Sequence, residues 1–325
     1  MIPNQPFFVG RNEFVWWQGV VEDVSDPLKL GRCRVRCLGF HTDDKILLPT
    51  EHLPWAVPIQ PIGSAAMSGI GTSPTGLLPG SWVVGFFRDS NTAQDPIIMG
   101  SIGGMPDAKP AATNGFSDPS GVYPRESYLG ESDVNRLARN ESISETIVAV
   151  KKNSIVSDVS SALGEESWSE PETPYNAVYP QNHVTETVSG HISEMDDTPG
   201  AERIHTYHKS GTFQEIHPDG SKVTKVVGKN YEILLDDNNI KISGTKNENV
   251  DGNCNLVVSG SLNIQVAGDA NVQVKGNSVV ETLGDHFHKV SGVCMFTSTG
   301  NMTFLAPRID FNPTDASPDD FGDIF

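Results

Sequence analysis

The residues best placed for chemistry are His286 and His288, in the run Asp285-His286-Phe287-His288-Lys289. Residues two apart in an extended chain share a face, so both imidazoles point one way and can serve one metal ion. The other soft ligands are Cys33, Cys37, Cys254 and Cys294. Cys33 and Cys37 sit in GRCRVRCLGF, which alternates like a strand and holds their Cα atoms about 13 Å apart, too far for a disulfide. Reduced, packed thiols are expected, in keeping with cytosolic synthesis. Gly69, Gly71 and Gly76 in GIGTSPTG imitate a phosphate loop, but Pro74 and LLPGSW follow where a helix would have to start. Glu165, Glu166 and Glu170 form carboxylate pairs without a scaffold to fix their separation, so a solvated surface is expected. The histidines 191, 205, 208 and 217 show no metal spacing, and surface or interstrand packing is expected of them.

The elements that must position His286 and His288 are visible as a repeat. From residue 220 glycine recurs every eighth position, at 220, 228, 244, 252, 260, 268, 276, 284, 292 and 300; only Asp236 breaks the series. Two places before these glycines stand Val226, Ile242, Val250, Val258, Val266, Val274, Thr282 and Val290. Each octad therefore reads V-x-G plus five residues, with inward side chains at its first, fifth and seventh places, such as Leu262 and Ile264. His286 and His288 occupy the fifth and seventh places, which Lys246 and Glu248 hold five octads nearer the start of the repeat. One octad has too little inward surface to close a core. Three intertwined copies would close a triangular β-prism with valine and leucine on its axis. Six imidazoles would then meet in one layer, and burying such groups unpaired costs about 2–7 kcal/mol each. One iron, or another octahedral transition metal such as nickel, per trimer is the expected partner; zinc prefers four ligands.

The remainder reads as β-structure with turns. The chain has 325 residues, of which 31 are Gly and 22 Pro, and only 37 % are apolar, a balance that favours short strands. Residues 14–104 break into FVWWQGVVEDV, SDPLKLG, RCRVRCLGF, SWVVGFFRD and PIIMGSIGG, which predict a small barrel or sandwich. Alternation puts Arg32, Arg34 and Arg36 on one face and Cys33, Val35 and Cys37 on the other. Residues 107–182 read as an extended linker with a short helix, VNRLARNE, capped by Ser132 or Asp133. Residues 183–219 hold three hairpin strands, HVTETVSGHISEM, ERIHTYHKS and TFQEIHPDG, forming a neck. The prism is expected over 220–306 and an acidic tail over 307–325. A net charge of −18 argues against nucleic acid as a partner. No apolar stretch of about 18 residues occurs and MIPNQPFF lacks a signal peptide's regions, so a soluble chain is expected.

Several segments resemble one family, the central spike or cell-puncturing proteins of T-even-type myophages. They are VVEDVSDPLKLGRCRVRCLGFHT, LPWAVPIQPI, SAAMSGIG and SGHISEMDDTPGAERIHTYHKSGTFQEIHPDGS, followed by the octads. The resemblance implies that residues 1–106 are an OB-fold barrel docked on a trimeric baseplate hub, and that the homotrimeric prism points at the host outer membrane. It implies a place in the virion tail baseplate, a possible PAAR-type tip protein at the C-terminal end, and iron at a His-x-His near the tip. The best-known members carry a muramidase domain between barrel and prism, where this sequence has residues 107–182, so a structural role without lysozyme activity is expected. VgrG spikes of type VI secretion share the SGH, DDTPG, ERI and DGS elements but fuse hub to barrel. This chain begins close to its barrel, which favours a phage tail. A glycan-binding tailspike would show an aromatic groove, whereas the octads hold no Trp and only Tyr231.

Overall fold

The computed structural model describes residues 14–73, 76–142, 146–162 and 166–309. The chain forms two units, Met1–Asn253 and Cys254–Phe325.

The first unit opens with five strands: β1 (Val15–Asp23), β2 (Cys33–Cys37), β3 (Trp55–Pro58), β4 (Trp82–Phe87) and β5 (Pro96–Ile102). They close into a barrel in the order β1-β2-β3-β5-β4, with β3 and β5 parallel and the other neighbours antiparallel. Alternation drives the closure: Trp17, Val21, Cys33, Val35, Cys37, Ala56, Val83, Phe87 and Ile98 all point inward and form one core. The two thiols are free and buried. Burial pushes Cys33 up to about 11 and Cys37 up to about 12, so neither ionises at neutral pH. Strand β3 is not among the runs expected from sequence, because Pro54 and Pro58 bracket only three residues. Pro58 is accommodated at the strand's end, paired with Ile98.

The face expected to carry three arginines behaves unevenly. Arg32 pairs with Asp26 at 2.8 Å, and Arg34 lies 4.3 Å from the Trp55 ring. Arg36 is fully buried and donates from Nε to Glu22 Oε1 at 2.6 Å, with further bonds to the carbonyls of Thr42 and Leu48. The backbone N–H of Phe116 donates to the same Glu22 carboxylate. Gly115 lies so close that an added Cβ would overlap Cδ and Nε of Arg36.

That contact shows how residues 107–182 differ from an extended linker. They wrap the barrel and then the neck. Asp118 is buried and accepts from the backbone N–H groups of Ser120, Val122 and Tyr123, fixing a turn. Two helices follow, α1 (Arg136–Arg139) and α2 (Ile147–Asn153). The cap of α1 is Asn135, whose side chain accepts from Leu137 N–H; the expected caps bond elsewhere, Ser132 to Val134 N–H and Asp133 to Gly104 N–H. A small hairpin, β6 (Val159–Ser160) with β7 (Ser167–Trp168), completes the segment.

The neck has five strands where three runs were expected: β8 (Asn182–Glu186), β9 (Ile192–Asp196), β10 (Arg203–Tyr207), β11 (Phe213–Ile216) and β12 (Lys222–Lys225). They form one antiparallel sheet in sequence order. Ile192, Tyr207 and Phe213 pack on Leu137, Ile147 and Val148, so the helices cap one sheet face. From Val226 to Asn253 the chain joins no strand ladder and bends at 227–228, 235–236, 243–244 and 251–252. The second unit repeats the pattern, with kinks at 259–260, 267–268, 275–276, 283–284, 291–292 and 299–300. The acidic tail beyond residue 309 lies outside the described residues.

Candidate functional sites in the neck and the octads

The neck sheet buries charge as well as hydrocarbon. Alternation along β9, β10 and β11 turns Glu194, Arg203, His205 and Glu215 toward the same face as Ile192, Tyr207 and Phe213. Arg203 bridges two carboxylates, Nη2 to Glu194 at 2.7 Å and Nη1 to Glu215 at 3.0 Å, and lies 4.8 Å from the Tyr175 ring. Lys151 reaches down from α2 to Glu215 at 2.6 Å. His205 Nδ1 lies 2.7 Å from Glu194 Oε2, and Asn182 donates to Glu194 Oε1 at 3.0 Å. Burial pushes the Glu215 carboxyl up, but Lys151, Arg203 and Thr173 outweigh it and hold it down to about 2. Burial raises Glu194 too, yet His205, Arg203 and Asn182 leave it below the ordinary range. Burial lowers His205 and outweighs its bond to Glu194, so a neutral ring donates Nδ1–H to an ionised carboxylate. Its Nε2 is buried without a partner.

The charged groups of this network are bonded to one another. The network ties α2 to three strands of the neck. Sequence reading missed it although a signal existed: the alternating positions of ISEMD, RIHTY and FQEI carry opposite charges in matching register. Of the other neck histidines, His191 and His208 stack with ring centroids 4.5 Å apart at an exposed sheet end, and His217 lies 3.2 Å from Glu215. Glu170 pairs with Lys225 at 2.8 Å and Glu166 closes the β6–β7 hairpin through its backbone N–H; Glu165 lies outside the described residues. Gly69 and Gly71 occupy a positive-φ loop that leads to strand β4, not to a helix, so no phosphate cradle forms.

The octads are organised by their kinks. Their apolar side chains are exposed within one chain, including Val226, Ile242 and Val250 in the first unit and Val258, Leu262, Ile264, Val266 and Val274 in the second. Inward convergence is nonetheless visible. Lys246 Nζ meets Glu248 Oε2 at 2.7 Å across the fifth and seventh places of one octad. The His288 ring lies 6.5 Å from that of Phe296, the seventh-place residue of the next octad. Eight fully extended residues would separate them by about 26 Å, so the kink at 291–292 folds successive inward places together. His288 thus lies on the side that converges, and strand alternation puts His286 on the same side. Among the described residues of a single chain, no group of three His, Cys, Asp or Glu side chains gathers to hold a metal.

The octad glycines behave unlike ordinary turn glycines. From Gly228 to Gly300 none has a positive φ, and an added Cβ would meet nothing within 4 Å in its own chain. Neither a left-handed backbone nor an intrachain close approach explains them.

A closed five-stranded barrel followed by a charged neck and a kink every eight residues defines a barrel-headed, repeat-bearing β-protein. Residues 39–184 match the Gp5 N-terminal OB domain family, a span from β3 into β8. The chain is 45 % identical over 270 residues to protein Gp5 of Vibrio phage KVP40, covering 74 % of this chain and 64 % of that protein. It is 50 % identical over 131 residues to the pre-baseplate central spike protein Gp5 of Enterobacteria phage T4, covering 39 % of this chain and 22 % of that one. The chain therefore spans less than two thirds of the length of each of these proteins, to which it is similar.

Proposed function

We propose that this chain is a structural component of a phage tail baseplate, a homotrimeric central spike that docks on a hub through its barrel and breaches the host outer membrane. The observation that carries the reading is the octad run: apolar first, fifth and seventh places exposed in one chain, and glycines that no intrachain contact requires. Shared closure by three chains gives both an explanation, since it buries the columns and brings a neighbour's backbone against each glycine. The role is mechanical, and no catalytic group is assigned to the chain. A PAAR-type tip protein at the C-terminal end belongs to the same reading.

His286 and His288 fit an octahedral metal in that trimer. They share one side of the chain at the converging places, and three copies supply six nitrogens. An iron there would cross-link three strands and supply no redox step. Two measurements test the reading. Light scattering should return three times the 35.1 kDa chain mass, and a stable folded monomer refutes it. Elemental analysis should find one metal per trimer, and a metal-free trimer whose His286→Ala/His288→Ala variant melts no lower refutes the metal.

A further inference from the structure

We infer that Lys246 and Glu248 form, with the same two residues of two further copies of this chain, a closed layer of six charges that sets the axial register of the trimer. The inference rests on the trimeric reading proposed above, and it names the site that decides how the three chains align.

The octads that follow do not fix an alignment by themselves. Their first places, Val250, Val258, Val266 and Val274, are identical. The fifth and seventh places between 254 and 280 hold Cys254 and Leu256, Leu262 and Ile264, Ala270 and Val272, then Ser278 and Val280. Sliding one chain by eight residues along the axis sets valine on valine and one small or apolar pair on another. The hydrophobic contribution follows the apolar area removed from water, so it changes little between such registers. The stretch joining β12 to the regular repeat is no better a ruler. Its inward places include Asn230, Glu232 and Asn238, and Asp236 stands where a glycine is due. No uninterrupted apolar column therefore carries the alignment of the neck into the octads.

Lys246 and Glu248 stand at the head of the regular run, since every octad from Gly244 to Gly300 keeps its glycine. Residues two apart in an extended chain share a face, and the two side chains already meet, Nζ to Oε2 at 2.7 Å. That bond uses one of three ammonium donors and one of several carboxylate acceptor sites, so each group retains capacity for a second partner. Three aligned chains bring three ammonium and three carboxylate groups into one layer with no net charge. Each group then has a counter-charge on a neighbour as well as on its own chain.

A slip of one octad removes that second partner. The pair of the displaced chain then faces Cys254 and Leu256 of its neighbours, or Asn238 and Ile240, none of which carries a counter-charge. Taking charges out of water is repaid only where geometry and further hydrogen bonds complete the site, so the aligned register is favoured over the slipped ones. A single polar position in an otherwise apolar coiled-coil seam specifies register by the same logic. Downstream, the next strongly polar layer is His286 and His288, five octads away, so no short slip in that direction finds a substitute.

The test reads register from nitroxide-to-nitroxide distances, measured by pulsed electron paramagnetic resonance on the full-length trimer. The label sits at Gln265→Cys, an outward eighth place, in a Cys254→Ser/Cys294→Ser background; Ser278 already occupies a fifth place, and Cys33 and Cys37 are buried. With the charged layer intact, three labels at one level give a single distance. In Lys246→Met/Glu248→Leu the trimer mass should hold and melting should not fall, because apolar replacement of a whole buried ion pair is often neutral or stabilising. A second, longer distance should appear there, and the in-register share of label pairs should fall at least twofold. The exchanged variant Lys246→Glu/Glu248→Lys keeps the same six charges and should return the single distance. The register lock is overturned if the intact layer already gives several distances, if the apolar variant keeps one distance or no longer forms a trimer, or if the exchanged variant slips; in each case the trimeric reading of the wild type stands. If light scattering finds no wild-type trimer, the trimeric reading fails and the lock fails with it.

Discussion

Replacing Arg203 with Met tests whether the buried neck network is a coupled unit. The guanidinium is almost fully buried and spans Glu194 at 2.7 Å and Glu215 at 3.0 Å. Methionine keeps much of the aliphatic stem but leaves two buried carboxylates short of a cation. Removing one partner of a buried pair costs about 3–5 kcal/mol. The low end applies here, because Lys151 still holds Glu215 at 2.6 Å and His205 still donates to Glu194. A loss of about 3 kcal/mol is therefore expected at neutral pH, which accelerates hydrogen exchange roughly a hundredfold for amides that exchange through opening of the neck. Exchange mass spectrometry on peptides covering β9, β10 and β11 measures it, with barrel peptides as the internal reference. Lys109→Met, which removes an exposed pair with Glu126, should change exchange by less than about fivefold. Acid supplies a second signature: protonating the orphaned carboxylates relieves the variant, so the gap to wild type should narrow toward pH 4. The reasoning is refuted if Arg203→Met exchanges within threefold of wild type, or if the gap widens in acid.

Wild-type neck stability should fall as pH drops, first through the range below 6.5 and then below 4.5. The unfolded chain takes up a proton at His205, whose folded pKa is depressed, and then at Glu215, held at about 2, and Glu194, whose folded pKa is also lowered. Thermal melts from pH 8 to 3 check this, and a flat profile contradicts it. Val266→Asp, at the first octad place, should abolish trimer formation by placing three unpaired carboxylates on a shared axis, while Gln265→Asp at the outward eighth place should leave it intact; sedimentation velocity separates the two. Gly115→Ala should destabilise the barrel by about 1–3 kcal/mol, because its methyl group overlaps buried Arg36, and the urea midpoint followed by Trp17 fluorescence reports it.

The sequence alone determined the periodic parts. A side chain alternates faces every two residues in a strand, so Cys33, Val35 and Cys37 could be placed in a core before any coordinates, and they are buried there. The eight-residue period is likewise legible in the sequence, and the structure bends in step with it, even at 235–236, where Asp236 replaces glycine. Both are local properties, carried by neighbours along the chain. Tertiary structure decided what depends on residues distant in sequence. Nothing near Glu22 announces that it binds Arg36 and the backbone of Phe116. Residues 107–182 look like a linker because their apolar side chains are sparse, but Leu137, Ile147 and Val148 find their partners on strands many positions further on. Arg203 and Lys151 look like surface cations for the same reason: only sheet register and a helix laid across it bring both to Glu215 and exclude the water that would otherwise solvate them.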